Sequence, residues 1–437
     1  MPPLLFRNAR IYTPVDEGRA SAGALQGRIA SWERGALLCR DGRIAAVGEE
    51  SEVLASLAGD GPNAAARGSA PEEIDCGGRC MVPGFVDPHT HLCFVRPREK
   101  EFLARLEGTE YLDILKAGGG ILSSVESVRA ASEEELFLAT RDRALSALRL
   151  GTTTMEVKSG YGLSTEAELK QLSAIQRVGR DTPLSIVPTF LGAHAVPAEM
   201  RGRGDDYVDL LVREMIPEIA GRRLAGFCDV FCEQGVFSVS QARQILETAR
   251  SAGLRLKIHA DELHDTGGAA LAGELHAVSA EHLLAASDQG LRAMAAGGVV
   301  AVLLPATAYS MRKPYARARA MIDMALPVAI ATDCNPGSSC TESMPFAFGL
   351  AVLQMGLSVA EALVAATLNA AYAIGLGAEC GSLSPGKAAD FLLLDGETPA
   401  ILAFRAGISP VAEVFKAGRR EWPLEQGSAR TGPAAPR

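Results

Sequence analysis

Long apolar runs are missing from this 437-residue chain. No stretch approaches the roughly 18 consecutive apolar residues of a membrane span, and the start, "MPPLLFRNARIYTP", has no basic segment leading into an apolar one. Membrane and export roles are therefore not expected, and a cytoplasmic protein is. Excess positive charge is missing too. With 43 Lys and Arg against 52 Asp and Glu, the net charge is −9, and no basic stripe offers to neutralise phosphates, so nucleic acid is not an expected partner. The 9 cysteines are odd in number and scattered, and the pairs Cys76/Cys80 and Cys228/Cys232 are spaced too widely for a C-x2-C knuckle. Free or buried thiols in a reducing compartment are the expectation. No long internal repeat is visible, and histidine is scarce, at 7 residues.

What is present is a large apolar fraction, 48%, with 45 glycines spread throughout, enough for a substantial core. Before about residue 82 the chain has short strand-like pieces, "LLFRNARIYT", "ALLCRDGRIAAVG" and "EIDCGGRCMVPG", between Gly-rich and polar stretches. After it, apolar runs alternate with helical patterns, as in parallel β/α units. Eight such runs can be counted: "MVPGFVDPHTH", "TTTMEVK", "LSIVPTF", "GFCDVFCE", "LRLKIHA", "HAVSAEH", "GVVAVLLP" and "PVAIATD". Eight is the number for a TIM-like (β/α)8 barrel. From about 380 the β style returns in "GSLSPGKAADFLLLD" and "PVAEVFKAGRREW". The expectation is an α/β protein with a barrel over 82–379 and a small β-sandwich domain from 1–81 and 380–422. A frayed tail is expected over 423–437.

Barrel active sites lie at the C-terminal ends of the strands, so the polar residues ending these runs read as one ring. His89 and His91 end the first run, His259 the fifth, His282 the sixth and Asp333 the eighth, while Tyr161 follows the second and His194 the third. Residues at i and i+2 of a strand share a face, which aims His89 and His91 at one spot. Each residue alone has an ordinary reading: a lone strand histidine, such as His264 or His276, is usually a hydrogen-bonded structural group, Asp333 can cap the next helix, and Tyr161 can simply pack. Convergence at one barrel end favours a metal site. Imidazole and carboxylate suit zinc or iron(II), with His89, His91, His259 and Asp333 as ligands and His282 orienting a water. The fourth run, "CDVFCE", has no lysine to bridge two ions, so one metal per chain is expected.

These residues carry a resemblance. "PGFVDPHTHLCF" with the eight-strand pattern resembles the one-metal members of the amidohydrolase superfamily. "EVKSGYGL", "PTFLGAHAVP", "DVFCEQGVFS", "KIHADEL" and "ATDCNPGSS" are similar to the imidazolonepropionase family within it, over about 80–420. The resemblance implies a hydrolase that opens the cyclic amide of 4-imidazolone-5-propanoate to N-formimidoyl-L-glutamate in histidine degradation. It places metal ligands on His89, His91, His259 and Asp333, and substrate contacts on Arg98, Tyr161, His194, Glu262, Asn335, Gly337 and Ser338. Catalytic roles fall on Asp333 as proton shuttle, His282 as holder of the nucleophile and Glu262 at a ring nitrogen or leaving group. Where the family has glycines before its arginine, this chain has "VRPR", which makes Arg96 a rival of Arg98 for the substrate's anionic tail. Cys334 stands where the family tends to have a bulkier residue. Homodimers are the family's habit.

Two other readings compete. A cytosine- or guanine-type aminohydrolase would use the same ligands, and an anionic anchor at Arg98 with the "NPGSS" loop argues against it. A barrel that has lost its metal and become a structural protein is disfavoured because every ligand position is filled.

Overall fold

The computed structural model describes residues 2–58, 70–109 and 119–423. Of the expected tail, all but Pro423 lies outside the described residues. Two sheets organise the chain. The first joins both ends: β1 (Leu4–Pro14), β2 (Ile29–Arg40), β3 (Arg43–Glu49), β4 (Glu72–Asp75) and β5 (Cys80–Pro83) come from the N-terminal part. The second is built from β6 (Phe85–Asp87), β7 (Thr152–Lys158), β8 (Ser185–Ala193), β9 (Phe227–Cys232), β10 (Arg255–Ala260), β11 (Ser279–His282), β12 (Val300–Leu303) and β13 (Val328–Ile330). Finally β14 (Phe391–Leu394), β15 (Val411–Lys416) and β16 (Arg419–Trp422) return to the first sheet. Its order is β16-β15-β14-β5-β1-β2-β3, with β4 also paired to β1. Phe6 from the N-terminal piece packs edge-on against Phe391 and Phe415, at ring centroids 4.7 and 5.1 Å apart, so apolar burial and backbone pairing both join the chain ends.

The second sheet runs in sequence order from β6 to β13, every pair parallel. It is a nearly closed eight-stranded barrel. The seam between the first and last strands is held just past their ends: Thr332 donates its N–H and hydroxyl to Asp87 at 3.1 and 2.6 Å, and Asp333 N–H donates to the His89 carbonyl at 3.1 Å. His91 N–H donates to the Cys334 carbonyl at 2.9 Å.

The apolar run 81–86, read as one strand, is divided by Gly84. Cys80–Pro83 pairs with β1 and β14, and only Phe85–Asp87 enters the barrel. A Cβ at Gly84 would come within 2.5 Å of Thr153 Cγ2, so glycine lets the chain pass from one sheet to the other against β7. The first barrel strand ends at Asp87, and His89 and His91 lie beyond it, in the segment that crosses to the last strand. The stretch "ALLCRDGRIAAVG" is likewise two strands, β2 and β3, turning at Asp41 and Gly42. All nine cysteines are free, and all but Cys340 are buried. Among the described residues no helix is long and apolar enough to cross a membrane.

The interior of the barrel is asymmetric. Outward alternates such as Met155, Val157, Cys228, Val230, Leu256 and Ile258 join the large core, as period-2 strands covered by helices should. The inward alternates on β7, β9, β10 and β11 include Glu156, Lys158, Asp229, Lys257 and Glu281, every one fully buried. Val86, Val300, Val302 and Ala329 from β6, β12 and β13 form an apolar cluster with the helix Leu368–Ala373.

Candidate metal centre and active site

His89, His91 and His259 meet at the C-terminal mouth of the barrel, with one ligand atom from each within 4.8 Å of the others. His91 Nε2 and His259 Nε2 are 3.2 Å apart, and Asp333 Oδ1 is 3.5 Å from His89 Nε2 and 3.6 Å from His91 Nε2. Asp333 Oδ2 accepts from the Thr307 hydroxyl at 2.6 Å, which leaves Oδ1 facing the histidines. The backbone at Asp333 is left-handed, φ 51°, an uncommon conformation for a non-glycine residue and a frequent one at functional sites.

These residues fit a metal ion. His89 is fully buried, yet neither of its ring nitrogens has a hydrogen-bond partner, a costly arrangement unless something else takes the lone pair. Burial holds His89 and His91 well below the usual imidazole pKa, so both are neutral and able to ligate. His259 differs: burial pulls its pKa down, but the charge of Asp229 overrides this and raises it. Burial pushes the Asp333 carboxyl up to about 6, with the Thr307 hydrogen bond working against it.

His282 joins the cluster by a change of backbone. On β11 it alternates with Glu281 and falls in register with Ala260, which packs outward in the large core. Its left-handed φ of 70° ends the strand there, and the ring lies 5.6 Å from His89 and 5.2 Å from His259, centroid to centroid. Glu262 Oε1 lies 3.6 Å from His282 Nδ1. Burial, then the charge of Asp333, pushes the Glu262 carboxyl up to about 7. Its neighbour Asp261 is structural, accepting N–H bonds from Thr266, Gly268 and Ala269. Buried Glu233 accepts from Leu263 N–H at 2.9 Å and His264 N–H at 3.3 Å, fixing the loop that carries Glu262. His264, set aside as structural, is 3.0 Å from the same carboxylate.

His194 stacks on His91 at 4.9 Å with 19° between the rings, and its Nδ1 is 3.0 Å from the Gly160 carbonyl. That contact makes Nδ1 the protonated nitrogen and leaves Nε2 an acceptor, since burial holds the pKa down at about 3. Tyr161 is buried, 5.3 Å from His194. Its loop is shaped by Glu168, which accepts N–H bonds from Gly160, Gly162 and Leu163 at 3.1, 2.8 and 2.8 Å.

Arg98 and Arg96 part company. Arg98 has a 16% exposed side chain, donates N–H to the Pro336 carbonyl at 2.6 Å and Nη1 to Ser124 at 3.0 Å, and lies against Gly337. Arg96 is exposed, and its charge acts on Glu135. The Asn335 side chain is engaged within its own loop: Oδ1 accepts from Gly337 N–H and Ser338 N–H, both at 2.8 Å, and Nδ2 donates to Asp333 O at 2.7 Å and Ser338 Oγ at 2.9 Å. All the expected site residues other than Arg96 therefore gather at one mouth. The residues that sequence reasoning passed over are Glu168, Glu233, Thr307 and Asp229. Only Asp229 carried a signal, as a charge inside a buried strand run.

The sequence matches the amidohydrolase family over residues 80–420. It is 61% identical over 420 residues to the imidazolonepropionase of Syntrophobacter fumaroxidans, covering 96% of this chain and 97% of that one. It is 58% identical over 416 residues to the imidazolonepropionase of Desulfotalea psychrophila, covering 95% and 99%. In three dimensions it resembles the 5-methylcytosine deaminase of Klebsiella pneumoniae in complex with 5-fluorocytosine, at a TM-score of 0.69 over 97% of this chain and 98% of that one, with 16% identity; at that identity the likeness speaks for the fold alone. Sequence and fold agree, and the chain belongs to the amidohydrolase family, on its imidazolonepropionase branch.

Proposed function

We propose that the protein is a metal-dependent hydrolase that opens the ring of 4-imidazolone-5-propanoate to N-formimidoyl-L-glutamate. The observation that carries this reading is the placing of one buried-side arginine, Arg98, against the Asn335–Ser338 loop that continues directly from Asp333. An anion anchor thus stands next to a cluster suited to activating water. A deaminase of cytosine or guanine type would not need that anchor.

His89, His91, His259 and Asp333 would hold one divalent ion, zinc or iron, per chain. When bound, such an ion supplies Lewis acidity that brings the pKa of a water from about 15.7 to roughly 7. Asp333 then accepts the proton of the attacking water at Oδ1 while Thr307 fixes the other oxygen. His282 and His194 border the reacting carbonyl, and His194, with Nδ1 committed to Gly160, offers Nε2 to the substrate. Water adds to the ring carbonyl carbon, and the ring C–N bond breaks. The departing nitrogen needs a proton, and Glu262, a carboxyl that burial keeps protonated up to about pH 7, is suited to delivering it, after which the proton held by Asp333 restores Glu262. Arg98 can pair with the propanoate through the guanidinium N–H groups that Ser124 and Glu101 leave free. Asn335 serves this pocket by shaping its loop, since its own polar atoms are already paired.

The test is to measure metal per purified chain and follow the ultraviolet absorbance of imidazolone propanoate. Loss of the substrate band with about one ion per chain is the expected result. Full metal occupancy with no turnover, but with deamination of cytosine or guanine, would overturn the reading.

A further inference from the structure

Five fully buried ionisable side chains lie beneath the histidines inside the barrel, and the chemistry above uses none of them. Lys158 Nζ is 2.8 Å from both Asp229 Oδ2 and Glu156 Oε2. Lys257 Nζ is 3.3 Å from Glu156 Oε1 and from Glu281 Oε1, and also donates to the carbonyls of Pro88 at 3.1 Å and Ala373 at 3.4 Å. Thr189 and Ser279 hydroxyls donate to Glu156 and Glu281, each at 2.5 Å. Burying five such groups carries a desolvation cost that pairing must offset. Apolar side chains would fill the space more cheaply, as they do on β12 and β13.

The network meets the metal site at His259, where one side-chain atom each of Asp229, His259 and Glu281 lies within 4.8 Å of the others. Asp229 Oδ2 is 3.0 Å from His259 Nδ1, and Asp229 Oδ1 accepts the His259 backbone N–H at 3.2 Å. Both oxygens of one carboxylate therefore touch the same histidine. Nδ1 of His89, of His91 and of His259 all lack a well-oriented hydrogen-bond partner among the described residues, but at His259 the Asp229 carboxylate lies 3.0 Å away. A carboxylate behind a ligating imidazole fixes its tautomer, its orientation and its basicity. There is also a charge argument. Three carboxylates against two ammonium groups leave one formal negative charge in the network, and Asp333 supplies another at the mouth. Together they match the charge of a divalent ion.

We propose that Asp229 is the positioning residue of the metal centre: it aims His259 Nε2 and supplies buried counter-charge to the ion, a charge that Lys158 partly offsets. The inference rests on the metal reading of His89, His91, His259 and Asp333. It is tested by equilibrating the purified protein with a chelator of known affinity and counting metal per chain for wild type, Asp229→Asn and Lys158→Met. Cobalt(II)-loaded samples are read in parallel by their visible absorption. Asp229→Asn is expected to hold metal about 10- to 100-fold more weakly and to shift the cobalt bands, with KM unchanged at saturating metal. Lys158→Met removes a positive charge and frees Asp229 to act more strongly on His259, so it is expected to hold metal at least as tightly as wild type. General structural damage would weaken both variants alike, and that result overturns the proposal. So does an Asp229→Asn affinity within about twofold of wild type, which decides the matter alone if Lys158→Met does not fold. Wild-type protein that takes up no metal would instead overturn the metal reading itself.

Discussion

The guanidinium of Arg98 lies where a side chain on residue 337 would have to be: a Cβ built on Gly337 comes within 2.5 Å of Arg98 Cζ. The arginine is pinned against the loop by its own backbone N–H to the Pro336 carbonyl and by Nη1 to Ser124. Glu101 holds Nε at 3.2 Å. The position of the Arg98 guanidinium and the absence of a side chain at 337 are thus one feature.

Arg98→Ala should lower kcat/KM about 10- to 100-fold, mainly through KM, because a charge-assisted hydrogen bond contributes roughly 1.5–3 kcal/mol. Metal content should not change. Gly337→Ala should displace the guanidinium and raise KM in the same direction, whereas exposed Arg96→Ala should stay within about twofold of wild type. Steady-state kinetics on the three variants decides this, and a larger effect at Arg96 than at Arg98 would move the anchor.

Asp333→Asn should lower kcat by about 100-fold or more, the usual range for a lost general acid–base group. The measurement is kcat at saturating metal, so that weaker ion binding is not mistaken for lost proton transfer. Activity within about tenfold of wild type would remove Asp333 from the shuttle role.

Glu262 gives a pH signature. Burial, then Asp333, raises its carboxyl from an ordinary 4.5 to about 7, so the folded protein holds this proton more tightly than the unfolded chain does. Its contribution to stability is complete below pH 4.5 and is lost as pH rises through about 7. Glu262→Gln cannot ionise and should be free of that loss. Melting temperatures of the metal-free proteins should be similar near pH 4.5, with the variant higher by a few degrees near pH 8; equal melting temperatures at both would contradict the environment assigned to Glu262.

Glu168→Gln should leave the barrel folded and loosen the Tyr161 loop. One carboxylate oxygen accepts Gly162 and Leu163 N–H and the other accepts Gly160 N–H. An amide must present its NH2 to one of these donors, leaving a buried N–H unpaired at about 1–3 kcal/mol. A raised KM together with a lower melting temperature is expected, and an unchanged KM would separate this loop from the substrate pocket.

Local pattern was enough to read the eight barrel runs, the return of β structure at both ends, and the gathering of His89, His91, His259 and Asp333. The runs and the returning strands follow from period-2 burial and His259 from its place near a strand end, whereas His89 and His91, read as same-face residues of a strand, lie past its end at Asp87. Other features needed the folded chain. Gly84 splits one apolar run between two sheets because β7 happens to pass close by. His282 enters the site through a left-handed residue that strand alternation does not foresee. Arg98 and Arg96, two residues apart, were indistinguishable until the loop 335–338 was seen to close on one of them. The pairing of Lys158 with Asp229, 71 positions apart, exists only because barrel closure turns inward alternates from β7 and β9 toward the same axis. Side-chain type and spacing set which chemistry was available, and packing between distant segments decided which groups face one another.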